Sequence, residues 1–465
     1  MKTRMDRRRF PTTTAATGAR HLILCGLVAL LCSTAVGADS VWKAGVAKVK
    51  ITPEEPIWMA GYASRDKPSE GVRLDLFAKA LAMQDEAGKP SVLVTLDLES
   101  IDREVADAIA GRCLKQYGVT RDRLLLNLSH THSGPVVGLS WIPVYKMTPD
   151  QGGVVRRYTD GVISKIVGAV GASIQNLAPA KLEFKQGLAG IAVNRRRVSN
   201  RSLPGPVDHD VPVLKVSDPA GALRAVVVGY ACHATCLSDF QINGDWPGFA
   251  QAEIEKAHPG AIALFVQGCG ADSNPLPRRT VELAVKHGEV LAAAVEEVLG
   301  RPMTPLAGPL KTAFEYVDVA FQTPPTRQEL EARLKEKNVY RQSHARQMLD
   351  ILDREGKLPA SYPYPLQVWQ FGPKLKLIAL AGEVVVDYSL RLKAEHGWDT
   401  TWVAGYCNDI LAYIPSLRVL KEGGYEGGDA MIYFGHPAPF TEAVEETIVG
   451  KTAELVKRTA AAPGH

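Results

Sequence analysis

Five apolar, strand-like runs in this chain each end in side chains able to do chemistry. Residues 123–129 run into His130, Thr131 and His132, and residues 224–232 run into His233. Residues 261–270 lead to Asp272, Ser273 and Asn274, residues 374–382 to Glu383, and residues 401–407 to Asn408 and Asp409. Continuous Val/Ile/Leu runs mark strands buried on both faces. In α/β sheets, ligands collect beyond the carboxyl ends of such strands. The pattern therefore predicts an α/β fold (α+β mixed), with a mixed β-sheet core flanked by helices and polar residues gathered along one edge. Two or three His plus a Glu on such an edge are ligand chemistry for zinc, which points to a metallohydrolase.

Spacing sharpens the expectation. His130 and His132 stand two apart at a strand end, so both rings face one side. Ser133-Gly134-Pro135 then turns the chain. His233, closing an apolar strand, suits either a ligand or a hydrogen-bonded structural residue. Glu383 needs a partner, because burying an unpaired carboxylate is expensive; a metal would serve, as would Arg195, Arg196 or Arg391. Residues 408–413 hold Asp409 and end at Tyr413, whose phenol could bind a metal or donate to an oxyanion. The glycine-rich run 423–428 lacks the Lys-Ser/Thr of a phosphate loop and reads as a shaped active-site loop.

Along the chain, strands are expected at 41–51, 76–84 and 91–97, a helix at 102–117, and then the strand leading to His130. A long loop, 54–71, lies within this stretch. Further helices are expected at 153–176, 246–257 and 280–299. Thr326 with Glu329 reads as a capping box opening a helix whose apolar stripe runs to Leu352. One composite domain over 39–465 is expected, and no internal repeat is visible.

Hydrophobic residues make up 46% of the 465, ample for a large core. The formal net charge is +4, and Lys2, Arg4, Arg7, Arg8, Arg9 and Arg20 face only Asp6 in the leader. Without the leader the chain is nearly neutral, so charge gives no case for nucleic acid. Residues 1–38 read as an export signal: a basic segment, the apolar stretch 22–31, and small residues up to Gly37 or Ala38. Arg7-Arg8-Arg9-Phe10 has a twin-arginine look, and a periplasmic or secreted location is expected. The five cysteines beyond the leader, Cys113, Cys232, Cys236, Cys269 and Cys407, do not make a disulfide framework and read as small buried residues.

Taken in order, several motifs resemble the catalytic N-terminal domain of the neutral (non-lysosomal) ceramidase family. They are Ala44-Gly45-Val46 before Ile51-Thr52-Pro53, Met59-Ala60-Gly61-Tyr62-Ala63, and Leu128-Ser129-His130-Thr131-His132-Ser133-Gly134-Pro135. Val193-Asn194-Arg195, Ala231-Cys232-His233-Ala234-Thr235, Gly382-Glu383 and Gly424-Tyr425-Glu426-Gly427 follow. The resemblance implies one zinc ion per chain, held by His130, His233, Glu383 and Tyr413. It implies His132 and Arg195 in the active site, His132 as proton donor and Arg195 as a binder of polar substrate groups. The implied reaction is hydrolysis of an N-acyl amide by metal-activated water, on a ceramide-like lipid or another small molecule. Peripheral contact with a membrane is compatible with such a substrate.

Two departures bear on the substrate. The family's Gly-Asp-x-Ser-Pro segment reads Gly270-Ala271-Asp272-Ser273-Asn274-Pro275 here, which puts Asn274 where the family's catalytic Ser stands. Asn cannot act as base or nucleophile, so Asp272, acting through water, joins His132 as a candidate proton donor. The chain also ends soon after Ile448, so a shorter, bacterial-type member without the Ig-like C-terminal domain is expected. An alternative keeps the metal and acts on an ester, lactone or acidic glycan, with Arg195-Arg196-Arg197 as the recognition element. A non-catalytic binding protein on an inherited fold is a third reading, set against the retention of all the expected ligands.

Overall fold

The computed structural model describes residues 42–138, 144–145 and 147–460; the expected export signal lies outside them. The β-rich runs assemble in chain order as β1 (Trp42–Lys50), β2 (Phe77–Gln84), β3 (Pro90–Leu96), β4 (Leu124–Leu128), β5 (Ala178–Leu188), β6 (Asp210–Ser217), β7 (Leu223–Tyr230) and β8 (Ile262–Gln267). They form one sheet in the order β8-β7-β6-β5-β1-β2-β3-β4. The pairs β3/β4 and β7/β8 are parallel and the rest of this path is antiparallel. Parallel pairs need crossovers. Helix α1 (Arg103–Tyr117) supplies one and α2 (Asp245–Ala257) the other. β4 is buried along its whole length, as its unbroken Leu-Leu-Leu-Asn-Leu run requires.

A second sheet is built from β9 (Leu310–Ala320), β10 (Ser361–Phe371), β11 (Leu375–Leu380) and β12 (Thr401–Ala404), with β11 and β12 parallel. The fold class is thus the expected mixed α/β type. One side chain ties the edges of the first sheet to the second. Asn127 on β4 accepts from the Gln267 N–H of β8 (2.8 Å), and its Nδ2 donates to the carbonyls of Gln267 (3.3 Å) and Gly405 (2.8 Å). The carboxyl ends of β4, β8 and β12 therefore meet, and the residues following them share one region.

Helix boundaries follow local chemistry. The helix expected from 153 begins at Pro149, because Thr148 and Gln151 form a capping box with Pro in the first turn. The charged helix expected from Thr326 to Leu352 is two, Arg327–Arg333 and Val339–Glu355. Asn338 starts the second by accepting from the N–H groups of Tyr340 and Arg341. Cys113, Cys232, Cys236, Cys269 and Cys407 are free and buried. Among the described residues no helix is long and apolar enough to cross a membrane.

Candidate metal centre and its cavity

His130 follows β4 with φ at 55°, a left-handed backbone that non-glycine residues seldom adopt. Its Nδ1 lies 2.8 Å from the Glu99 carbonyl. His233, beyond β7, has its Nδ1 2.8 Å from the Gly270 carbonyl. An imidazole that donates from Nδ1 to a carbonyl presents the Nε2 lone pair on its far side. Both Nε2 atoms point at one oxygen: Glu383 Oε2 is 3.2 Å from His130 and 3.0 Å from His233. Glu383 and Tyr413 are register partners in a short parallel ladder, Glu383–Val384 with Tyr413–Ile414. That pairing carries the Tyr413 hydroxyl to 3.4 Å from His233 Nε2. The four ligands implied by the sequence resemblance therefore converge, and Glu383 is paired with imidazoles rather than with Arg195, Arg196 or Arg391.

Two imidazoles, a carboxylate and a phenol are a fitting donor set for zinc. The Nδ1–carbonyl contacts are the outer contacts such ligands need. His132 is close enough to compete: ligand atoms of His130, His132 and His233 lie within 4.8 Å of one another. Its Nε2 is 3.0 Å from that of His130, but its buried Nδ1 has no partner. Nothing fixes its tautomer as Glu99 and Gly270 fix the other two, which suits a group that moves protons better than a ligand.

Electrostatics agree with this division. Burial acts to raise the Glu383 carboxyl, yet the adjoining His130 and His233 outweigh it and hold the group well below the usual carboxylate range. Burial and the Arg195 charge push His233 down to about 4. Burial, then His130 and His233, hold His132 well below an ordinary imidazole. Burial lifts Tyr413 well above a free phenol, against the pull of Arg195.

A cavity of about 610 Å³ opens over this centre, and His132, Arg195, Asn274 and Tyr413 line it. His130, His233 and Glu383 lie buried beneath. Asn274 accepts from Thr235 Oγ1 (3.3 Å), whereas the preceding Ser273 is fully buried. Alternation along a strand accounts for the difference, and Asn274 is the one that reaches the cavity. Asp272 is fully buried and does not line the cavity; its carboxylate accepts from the Val386 N–H and from Asn194 Nδ2, each at 2.9 Å. Its backbone carbonyl accepts from the Arg195 N–H at 2.7 Å. In this position Asp272 braces the turn that presents Arg195.

The arginine run divides. Arg195 donates to Glu426 (2.6 Å) and to the Tyr413 hydroxyl (3.1 Å). Arg196 pairs with Glu422 and Glu426 at 3.0 and 2.7 Å. Arg197 instead donates to the carbonyls of Arg201 and Leu203. The glycine-rich run forms a short helical turn, Gly424–Gly427, that brings Tyr425 and Glu426 to the cavity wall. Sequence reasoning left Glu426 unassigned, although it stands in a run singled out for its shape. It also passed over Tyr62, whose ring packs against His132 with centroids 4.9 Å apart, and Tyr406, whose hydroxyl lies 3.5 Å from Glu383.

Comparison with known proteins agrees with the geometry. Residues 42–275 match the family model described as neutral/alkaline non-lysosomal ceramidase, N-terminal. Neutral ceramidase A of Dictyostelium discoideum is 28% identical over 264 residues, 52% of this chain and 37% of that protein. A neutral ceramidase of Drosophila pseudoobscura pseudoobscura is 23% identical over 249 residues, 50% of this chain and 34% of that protein. The matched segments thus span little more than a third of these relatives' own length. The crystal structure of neutral ceramidase from Pseudomonas aeruginosa superposes with a TM-score of 0.73 at 20% identity, covering 92% of this chain and 76% of that one. A structure of ceramidase complexed with C2 gives 0.72 at 18% identity, over 92% and 77%. The chain belongs to the neutral/alkaline non-lysosomal ceramidase family.

Proposed function

We propose that the protein is an exported, zinc-dependent hydrolase that cleaves the amide of an N-acyl substrate. The convergence of His130 Nε2, His233 Nε2, Glu383 Oε2 and the Tyr413 hydroxyl beneath the cavity carries the proposal. Zinc held there would supply a Lewis acid that lowers the pKa of water to about 7 and polarises a carbonyl. Export is argued from the leader alone.

The chain's own residues complete the chemistry. In the net reaction the C–N bond breaks, hydroxide from water joins the acyl carbon, and the remaining proton goes to the amine. His132 stands at the cavity floor with an uncommitted Nδ1 and is the group to carry that proton. The Tyr413 hydroxyl, receiving a hydrogen bond from Arg195, can donate its own hydrogen to the carbonyl oxygen as it gains charge. Glu426 holds the Arg195 guanidinium in that position. Asn274, at the family's Ser position, can orient a substrate through its amide but cannot exchange a proton. This makes ceramide a less natural substrate than another N-acyl amide.

The test is elemental analysis of the purified protein, followed by fatty-acid release from ceramide and from simpler N-acyl amides, before and after chelation and zinc return. His233→Ala is expected to stay folded, lose its metal and lose most turnover. Tight zinc with normal turnover in that variant, or an absence of both zinc and acid release in the wild type, would refute the proposal.

A further inference from the structure

The charges around the cavity do not cancel. Among the described residues, four guanidinium groups line it, Arg195, Arg196, Arg278 and Arg279, against two carboxylates, Glu422 and Glu426. Both carboxylates are already engaged: Glu426 by Arg195 and Arg196, Glu422 by Arg196 and Arg418. Among the described residues, no carboxylate forms an ion pair with Arg278 or Arg279. Arg278 donates to the carbonyl and hydroxyl of Thr235, at 3.4 and 3.3 Å. Arg279 donates to the Tyr62 hydroxyl at 3.2 Å. The buried carboxylate of Asp245, whose field reaches Arg279, accepts from the N–H groups of Cys236, Leu237 and Trp246 instead. Partial burial, Arg279 and Arg195 all disfavour the Arg278 charge. The backbone adds a second observation. Arg279 has φ at 94°, a costly conformation for a long side chain, fixed by its N–H donating to the Cys236 carbonyl at 2.8 Å. Two like charges, one strained and one partly desolvated, are thus held together at the cavity without a counter-ion.

Their position indicates which part of a substrate they meet. The Tyr62 ring is in contact with both Arg279 and His132: its centroid is 5.6 Å from the Arg279 Cζ and 4.9 Å from the His132 ring. His132 is the group assigned to the leaving amine, and Tyr62 and Arg279 line the same cavity beside it, so a group borne by the amine is within reach of Arg279. Arg278 reaches the same cavity beside Thr235, which in turn holds Asn274. We infer that Arg278 and Arg279 form an anion subsite, and that the substrate is an N-acyl amide whose amine portion carries a carboxylate, sulfonate or phosphate. The inference rests on the amidase reading only for which side of the amide bears the anion. It also moves the recognition role expected of Arg195-Arg196-Arg197 to a different pair, since Arg195 and Arg196 are neutralised within the protein.

The experiment uses the full chain loaded with zinc and four short-chain probes. These are N-octanoylethanolamine, which is neutral, its phosphate ester, N-octanoylglycine and N-octanoyltaurine. Binding by calorimetry and kcat/KM by acid release are measured for each. At least one anionic probe is expected to exceed the neutral one by about tenfold or more, the worth of a charge-assisted hydrogen bond. That preference should shrink as salt is raised, fall toward parity in an Arg278→Gln/Arg279→Gln double variant, and return in part when both are Lys. The best anionic probe identifies the headgroup chemistry. Equal handling of all four probes by the wild type, or a preference that survives the double variant, overturns the inference. If anionic probes bind preferentially and none is hydrolysed, the amidase reading fails while the subsite stands. The wild-type probe series decides the matter even if the double variant does not fold.

Discussion

Gly61→Ala would place one methyl group against His132 and thereby separate metal binding from proton transfer. A Cβ at Gly61 would stand 2.5 Å from both Cγ and Nδ1 of His132 and 2.9 Å from its Cβ. Carbon atoms in contact prefer ~3.5 Å or more, so the ring or the loop must give way by about 1 Å. The loop is pinned: the Ala60 N–H donates to the Gly134 carbonyl at 2.9 Å, and the Gly61 N–H to the Tyr145 hydroxyl at 3.0 Å. His132 has no such anchor at Nδ1 and is the part that moves. A displacement of that size costs on the order of a hundredfold in rate. Gly61 also has φ at +93°, where an alanine adds roughly 1–2 kcal/mol of strain, a loss of a few degrees in melting temperature. Glu99 and Gly270, which orient His130 and His233, are untouched. The expected variant is folded, slightly less stable, zinc-replete and at least about a hundredfold slower. Elemental analysis, thermal unfolding and steady-state kinetics on one N-acyl amide check each part. Wild-type turnover in a folded, zinc-loaded variant would remove His132 from the proton path.

Two further outcomes concern the shell around the centre. Glu426→Leu leaves the cations of Arg195 and Arg196 without their shared buried partner; breaking such a pair costs about 3–5 kcal/mol, less the part Glu422 recovers for Arg196. A urea midpoint equal to wild type would show that the Glu426 contacts carry no stability. Asp272 has its carboxyl pushed up to about 6 by burial, against hydrogen bonds from Val386 and Asn194. A carboxyl raised in the folded state binds its proton more tightly there than in the unfolded chain. The stability it contributes is therefore complete below about pH 4 and is lost as pH rises through about 6, a change on the order of 3 kcal/mol. Urea titrations across this window should show that decline, and Asp272→Asn should flatten its share; an unchanged slope in the variant would contradict the assignment.

The residues proposed to hold the metal are legible because strand ends announce themselves. His130, His233 and Glu383 each close an apolar run, and parallel strands send their carboxyl ends to one edge. Tyr413 was a weaker signal, since nothing local ties it to Glu383; the link is a two-residue ladder between distant segments. What stayed hidden is made mainly of backbone. The carbonyls of Glu99 and Gly270 fix the imidazoles, and a carbonyl has no residue signature. Asn127, which closes the sheet edges together, reads in sequence only as one polar residue in a leucine run. The helix break at Asn338 is masked in the sequence because the apolar stripe continues past a good N-cap.

Backbone strain marks the same region in a way the hydrophobic pattern does not display. Among the described residues, five that are not glycine adopt positive φ, namely His130, Asp245, Arg279, Tyr406 and Asn408. His, Asp and Asn enter this region more readily than Arg or Tyr, but no hydrophobic period shows where the backbone does so. One is a proposed ligand, Tyr406 lies against Glu383, Asn408 receives the hydrogen bond of Arg121 and accepts from the Leu126 N–H behind the centre, and Arg279 lines the cavity. Such conformations cost about 1–3 kcal/mol each and persist only where surrounding contacts over-determine them. Here the contacts are long-range hydrogen bonds converging on the strand ends. The strain therefore sits where the side chains must be aimed, and the large sheets that absorb it are the part the sequence declares most plainly. Arg279 is the test of that view. Its backbone is held by the Cys236 carbonyl, as the others are held by their own contacts, and what that contact delivers to the cavity is a guanidinium with no carboxylate ion pair among the described residues, which is the arrangement an anion subsite requires.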